Sequence, residues 1–300
     1  MSAAAEQRPL GLGVALALIS AGSFGFIISL ARLTYEAGSN PLTVIFFRAL
    51  VPSLLLLALL ALRRHRFAVQ PGAFWPMTGV VIGQLGIALC YLSAVAYIPV
   101  SLAALVFYAY PLLVALLMVL SGRSAAAWPM VLAFLAAFAG LVLALAPSFA
   151  GLDPRGLALA GGSTLSGLLL FLSADRLPGR QDVLAVALYA NLVAALIVGP
   201  LALALGVFAL PASGLGWSCL AGVCLGFLAA FFSMIGAIRY AGALKAALVF
   251  NLEPLVAILS AILLLGESLD LTQALGVALV LAALTGFTLA ERRQRQSTGT

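Results

Sequence analysis

An all-α integral membrane protein of ten transmembrane helices, built as two inverted five-helix repeats, is the fold class this sequence predicts. Three observations carry it. The 300 residues are 64% hydrophobic and only 8% charged, with a mean hydropathy of +1.21; the rare charges punctuate apolar runs of membrane-spanning length; and the two halves align on each other at one fixed shift. A soluble domain carries roughly 25% charged residues, so no water-facing surface can be made from this composition. A spanning helix takes about 20 apolar residues, which leaves room for roughly ten spans, short tails and no separate soluble domain.

A charge in hydrocarbon is costly, so charged residues mark loops or functional positions. Pro9–Ala31 is uncharged and longer than the roughly 7 to 15 residues of a signal-peptide core, so it is expected to stay attached as the first span. Pro41–Leu62, interrupted only by Arg48, is the second. Residues 67–122 form a stretch of 56 without a charge, enough for spans three and four with a turn near Ile98–Val100. The fifth lies within Ser124–Leu152, and the sixth is Gly156–Ala174. A second charge-free stretch of 56, residues 183–238, holds spans seven and eight, broken near Leu210–Gly214 by the turn formers Pro211 and Gly214. Ala246–Gly266, with Glu253 inside it, is the ninth, and Leu271–Ala290 the tenth. The polar end from Glu291 to Thr300 reads as a disordered tail.

The formal charge of +6 would suggest nucleic acid in a soluble protein. Here twelve of the 15 Lys and Arg fall on one side of the predicted topology: Arg8, Arg63, Arg64, Arg66, Arg123, Arg176, Arg180, Arg239, Lys245, Arg292, Arg293 and Arg295. Only Arg32 and Arg155 fall on the other, and Arg48 is left within a span. Positive residues stay cytoplasmic, so both termini are expected there. The clusters are read as topology signals rather than as nucleic-acid or lipid-binding patches, since none reaches polybasic size.

Cys90, Cys219 and Cys224 lie in apolar runs without metal-ligand spacing, and read as small packing residues rather than a disulfide framework or a zinc site. The single histidine, His65, sits in a basic loop, and no H-E-x-x-H, Walker A or cysteine cluster occurs. These absences exclude histidine-assisted or metal-centred enzyme chemistry in the bilayer and imply no cofactor. A channel or a purely structural membrane protein remains the alternative to a carrier. With no ATP-binding motif, a carrier would be secondary or a facilitator.

A shift of 143 positions aligns Gly79–Leu112 with Gly222–Leu255 without a gap, at 13 identities in 34 positions, where about three or four would arise by chance in so Ala- and Leu-rich a chain. The run AALVF of Ala103–Phe107 recurs as Ala246–Phe250, and Pro111-Leu112 as Pro254-Leu255. Five spans per half is an odd number, so the second half enters the membrane from the opposite side. Inverted repeats recur in secondary transporters, with the substrate site near the midplane where the repeats meet. Gly79-x-x-x-Gly83 and Gly222-x-x-x-Gly226 permit close helix packing. Pro111 and Pro254 each remove a backbone donor and leave the carbonyls of Phe107 and Phe250 without their helical partner. Such breaks are tolerated at membrane depth where they are buried or line a cavity, which makes both prolines candidate hinges or cavity-lining kinks.

These residues resemble the EamA-type branch of the drug/metabolite transporter superfamily over nearly the whole chain. Ala246–Leu269 is similar to the family's Leu-Glu-Pro helix ending in Gly-Glu, here Leu252-Glu253-Pro254 and Gly266-Glu267. Arg48 sits where the family commonly has an arginine in span two, and Tyr108–Leu112 is similar to its Pro-Leu segment in span four. Span one carries Phe24-Gly25 in place of Trp-Gly, and the first half ends in Ser121-Gly122-Arg123 where Gly-Glu is common. The resemblance implies a five-helix repeat over residues 1–150, an inverted one over 151–290 and a cytoplasmic tail over 291–300. It further implies a multi-pass protein of the plasma membrane, of the bacterial inner-membrane type, with a central cavity and alternating access. Substrates across the family include amino acids and their derivatives, other metabolites and toxic cations, often exported.

Glu253 and Arg48 are the two ionisable residues well inside spans, and such residues are functional candidates by default. By residue count along their spans, at about 1.5 Å of rise per residue, they are offset by roughly 10 Å in depth, which disfavours a direct salt bridge. Arg48 can instead snorkel to the outer interface, and Glu253 can bond to a neighbouring helix, contact substrate or carry a proton as the coupling ion. Shifted by 143, Glu253 meets Tyr110 and Arg48 meets Asn191. Polar groups in lipid need partners, so Gln84 and Tyr91, seven residues apart on one face of span three, join Tyr108, Asn191 and Asn251 as candidates for a small-molecule substrate. Helix-to-helix hydrogen bonding explains each of them equally well.

The charge bias yields a direct test of topology. Reporters fused at Arg180 and after Thr300 are expected to read cytoplasmic, and one within Pro211–Gly214 external. An external C-terminus would overturn both the span count and the inversion.

Overall fold

The computed structural model describes residues 10–63, 69–121, 127–146, 152–179, 181–266, 268 and 270–297. Arg8, Arg64, His65, Arg66, Gly122, Arg123, Ser124, Arg180, Glu267, Leu269 and Thr300, used above as marks in the sequence, lie outside them. Among the described residues every regular element is helical: α1 Leu10–Glu36, α2 Pro41–Arg63, α3 Phe74–Ala94, α4 Val100–Phe107, α5 Tyr110–Leu120, α6 Ala127–Leu145, α7 Pro154–Asp175, α8 Val183–Ala204, α9 Gly214–Ala241, α10 Ala243–Phe250, α11 Glu253–Leu265 and α12 Leu271–Ser297. Among the described residues eight segments are long and apolar enough to cross a membrane, counting α4 with α5 and α10 with α11 as one each; Val131–Leu145 and Leu271–Gly286 are shorter apolar helices.

Local sequence explains the ends. Asp153 and Asp182 accept from the backbone N–H of Arg155 and Leu184, both at 2.8 Å, and Ser213 accepts from Gly216 N–H at 3.1 Å. These three side chains cap α7, α8 and α9. Two helices stop on glycines in conformations with positive φ, Gly242 at 84° after α9 and Gly266 at 69° after α11, where a Cβ would be strained. The helices also overrun some charge marks. α1 continues past Ala31, so Arg32 is helical rather than in a loop and pairs with Glu36 one turn on, at 3.3 Å in the open, a contact worth little. α12 continues through Ser297, so the backbone expected to be a disordered tail from Glu291 is helical over most of its length.

The halves do not fold as separate bundles. α1 lies along α9 and α3 along α7, α2 packs on α8 and α6 on α12, each joining the first half to the second. Shifting by 143 exchanges α1 with α7 and α3 with α9, so the two longest contacts are one contact made twice. Ile27 and Leu30 fill the space at Gly226 and Gly222; their counterparts Leu170 and Ser173 fill it at Gly83 and Gly79. Gly13 meets Tyr240 and Ala241, just as Gly156 meets Tyr97 and Ile98. In both cases residue numbers rise on one helix as they fall on the other, so the paired helices are antiparallel. Cys219 and Cys224 are buried free thiols on the face of α9 that carries this core.

A Cβ at Gly83 would come within 2.7 Å of both the Leu170 Cβ and the Ser166 carbonyl oxygen, whereas one at Gly22 meets nothing within 4 Å. Overpacking of this kind costs typically about 1–3 kcal/mol. Gly83→Ala is expected to lower the melting temperature of the detergent-solubilised protein by several degrees and Gly22→Ala to leave it unchanged. Equal melting temperatures would show that α3 and α7 are not in such close contact.

Candidate functional site

The chain breaks its helices twice near mid-depth, at equivalent places. α4 gives way to α5 at Tyr108-Ala109 and α10 to α11 at Asn251-Leu252, 143 residues apart. The cause is Pro111 and Pro254, both buried, each unable to donate to the carbonyl one turn earlier. Tight turns close the two helix ends: Ala109 N–H reaches Val106 O at 3.2 Å and Leu252 N–H reaches Val249 O at 3.0 Å. At the second break the Asn251 side chain adds donors to the carbonyls of Ala247 and Leu248, at 3.2 and 3.0 Å. Asn251 therefore completes the end of α10, and these bonds occupy its amide nitrogen.

The breaks bring Glu253 and Tyr108 together. The Tyr108 hydroxyl donates to Glu253 Oε1 at 3.1 Å. Glu253 opens α11, where the positive end of the helix dipole favours a carboxylate. Tyr91 and Tyr110 lie within electrostatic reach of the same carboxylate. Rings continue outward from it: Tyr91 on Phe107 at 5.9 Å between centroids, Phe107 on Tyr110 at 5.1 Å, Tyr110 on Phe171 at 5.0 Å and Phe171 on Phe250 at 5.4 Å. On the α1 side, Gly25 allows the chain to press onto the start of α11, since a Cβ there would stand 2.5 Å from the Glu253 carbonyl oxygen.

Arg48 turns toward the middle of α9 instead of snorkelling outward. Its guanidinium stacks 4.6 Å from the centroid of the Phe227 ring, which itself packs between Phe24 and Phe231. Among the described residues no carboxylate lies within 4 Å of it, so Arg48 and Glu253 do not form an ion pair.

Gln84 and Asn191 form a second polar contact, from the Gln84 amide nitrogen to Asn191 Oδ1 at 3.4 Å. The Asn191 amide nitrogen donates to its own helix, at Ala187 O, 2.8 Å away. Gln84 and Tyr91, assigned by their spacing to one face of a helix, thus serve different clusters. Tyr110, Phe107, Phe171 and Phe227 were not among the sequence candidates. The repeat carried the missing signal, because Tyr110 is the counterpart of Glu253, and Phe227 that of Gln84.

Comparison with known proteins bears on this arrangement. A family model described as the EamA-like transporter family matches the chain twice, over residues 11–146 and 155–289. Twenty-eight chains of solved structures match. One crystal structure, 21% identical, covers 93% of this chain and 99% of its own, with a TM-score of 0.76; at that identity it shows the fold alone. No protein of curated function matches.

The paired breaks yield a prediction for the prolines. Pro111→Ala and Pro254→Ala restore the missing donors, so membrane expression is expected to stay near normal while solute flux slows. Unchanged flux in the double variant would reduce both residues to passive kinks.

Proposed function

This chain belongs to the EamA-like transporter family, and from that premise we propose that it is a secondary carrier exporting a small amine-bearing metabolite, amino-acid-like compound or drug by alternating access. Ten spans in two inverted repeats form the carrier, α4 with α5 and α10 with α11 each making one broken span. The antiparallel pairing of α1 with α9 and of α3 with α7, repeated under the 143-residue shift, supports the inversion. The positive charges favour both termini on the cytoplasmic side, and the family reading favours the plasma membrane.

Glu253 carries the substrate reading. It is a carboxylate at a helix break between the halves, met by a tyrosine hydroxyl, and among the described residues no Lys or Arg lies within 4 Å of it. The repeat scaffold does not require an acid there, since Tyr110 fills the equivalent position in the first half. A carboxylate flanked by aromatic rings suits an ammonium group attached to an apolar or aromatic body. The same carboxylate can take up a proton when the cargo leaves, which would make the proton the coupling ion. Tyr91, Tyr108 and Tyr110 provide the walls, and Arg48, stacked on Phe227, is a second charged group in the interior.

Flux in proteoliposomes tests the proposal. Phenethylamine is expected to show saturable, inside-to-outside transport, and 3-phenylpropionate, which carries a carboxylate on the same ring and a similar chain, is not. Non-saturating flux would mean a channel. Glu253→Gln keeps the shape and removes the titration: a proton carrier would lose pH-driven flux yet retain binding, and an ammonium contact would lose binding itself. Normal transport with an unaltered pH profile in this variant would make Glu253 a structural partner of Tyr108 and overturn its assigned role.

A further inference from the structure

Gln84 holds the one buried side-chain polar atom without a partner among the described residues, its carbonyl oxygen Oε1. The residue is 8% exposed and is the eleventh of the 21 residues of α3, at mid-depth. Its orientation follows from its neighbour. Asn191, fully buried, donates through its amide nitrogen to Ala187 O and so turns its oxygen toward Gln84. Gln84 must answer with nitrogen, because two carbonyl oxygens would repel. The Gln84 oxygen is thereby committed to an environment with no donor. In hydrocarbon such an atom is expensive, and the described residues supply nothing to satisfy it.

The scaffold does not force this expense. Under the 143-residue shift Gln84 becomes Phe227 and Asn191 becomes Arg48, so the Gln84–Asn191 contact and the Arg48–Phe227 stack are the same contact between halves, made with different chemistry. At the equivalent place in the second half a phenyl ring fills the volume and leaves no acceptor unmet. A packing residue would serve α3 as well, and an amide there is explained by something that visits it.

We infer that Gln84 is a specificity-determining residue whose carbonyl oxygen accepts a hydrogen bond from a second donor on the cargo, a hydroxyl or N–H separate from the amine. The inference rests on the reading of the mid-depth region as the cargo site and names a feature the cargo must carry. It assigns Asn191 the positioning role: by facing its oxygen to Gln84, it fixes which way the glutamine amide points. A cargo with an ammonium and a second donor satisfies both Glu253 and Gln84, whereas one with an ether or a bare ring leaves the acceptor unmet and binds less tightly.

Binding of three amines to the full-length protein in detergent tests this. Tyramine carries a hydroxyl donor, 4-methoxyphenethylamine only an acceptor at that point, and phenethylamine neither. The wild type is expected to bind tyramine about 5- to 10-fold more tightly than the other two, the usual net effect of one hydrogen bond. Gln84→Met is expected to bring all three within about 2-fold of one another while amine binding persists. The cargo-free variant should melt within about 2 °C of wild type, since it removes one unmet acceptor and exposes another on Asn191. Equal binding of the three amines by the wild type would overturn this inference and leave the carrier reading intact. A fall of more than about 5 °C in the cargo-free variant would make the amide a structural tie and overturn it as well. Failure of all three amines to bind the wild type would overturn the amine reading of Glu253 and this inference together.

Discussion

In hydrocarbon a backbone amide has no water to fall back on, so every N–H and C=O must find a partner inside the protein. The rest of this structure follows from that constraint. It makes every described element a helix, and it makes the two places where a helix is interrupted informative. Pro111 and Pro254 each withdraw a donor at mid-depth, and the chain closes the interrupted helix ends with tight turns and the Asn251 amide. The interruption is what lets Tyr108 and Glu253 leave the regular helical surface and face each other across the two halves.

The second determinant is that the chain uses one packing solution twice. Glycines at 79 and 83, and again at 222 and 226, admit the partner helix so closely that side chains from α7 and α1 occupy the space a Cβ would take. Because the backbone contact is the same in both places, differences between equivalent side chains are not dictated by the scaffold. Glu253 opposite Tyr110, Arg48 opposite Asn191 and Gln84 opposite Phe227 are three exchanges in which one half is charged or polar where the other has a different chemistry. These exchanges gather the polar groups of the interior at mid-depth. Repetition supplies the fold, and departures from repetition supply the candidate site.

Much of the fold was legible because hydrocarbon makes charge a reliable marker of loops. The two charge-free stretches of 56 residues each resolve into two spans with turns where they were expected, at Val95–Pro99 and Leu205–Ser213. Charge failed as a marker only at the helix ends, where Arg32 and the residues after Glu291 extend a helix into the polar zone at no great cost. The site was legible in part. Depth along separate spans correctly kept Arg48 away from Glu253, but one-dimensional spacing gave Arg48 no partner within the bilayer and suggested an outward path. Its partner, Phe227, lies 179 positions on along the chain, and nothing local to Arg48 points to it. Likewise Gln84 and Tyr91 share a helix face at heptad spacing, yet different helices meet that face at each level, so the two side chains enter different clusters.

Arg48 and Glu253 therefore present opposite charges in one interior without neutralising each other. A direct ion pair at this depth would satisfy both groups and leave neither free for a ligand; removing either partner would then strand a buried charge. Here each is held by softer contacts instead, the guanidinium by the face of a ring and the carboxylate by a hydroxyl and the first turn of a helix. A cation–π contact contributes about 0.5–2 kcal/mol, and a charge-assisted hydrogen bond about 1.5–3 kcal/mol, less than a charged group forfeits on leaving water. The difference is what an incoming group of the right sign can recover. In the carrier we propose, weak internal partners would also favour release, since the cargo would displace only a ring or a hydroxyl and the same contacts would re-form when it departs. Holding the two charges apart, with no bond between them, would thus reconcile stability of the empty protein with the reversible occupancy we propose.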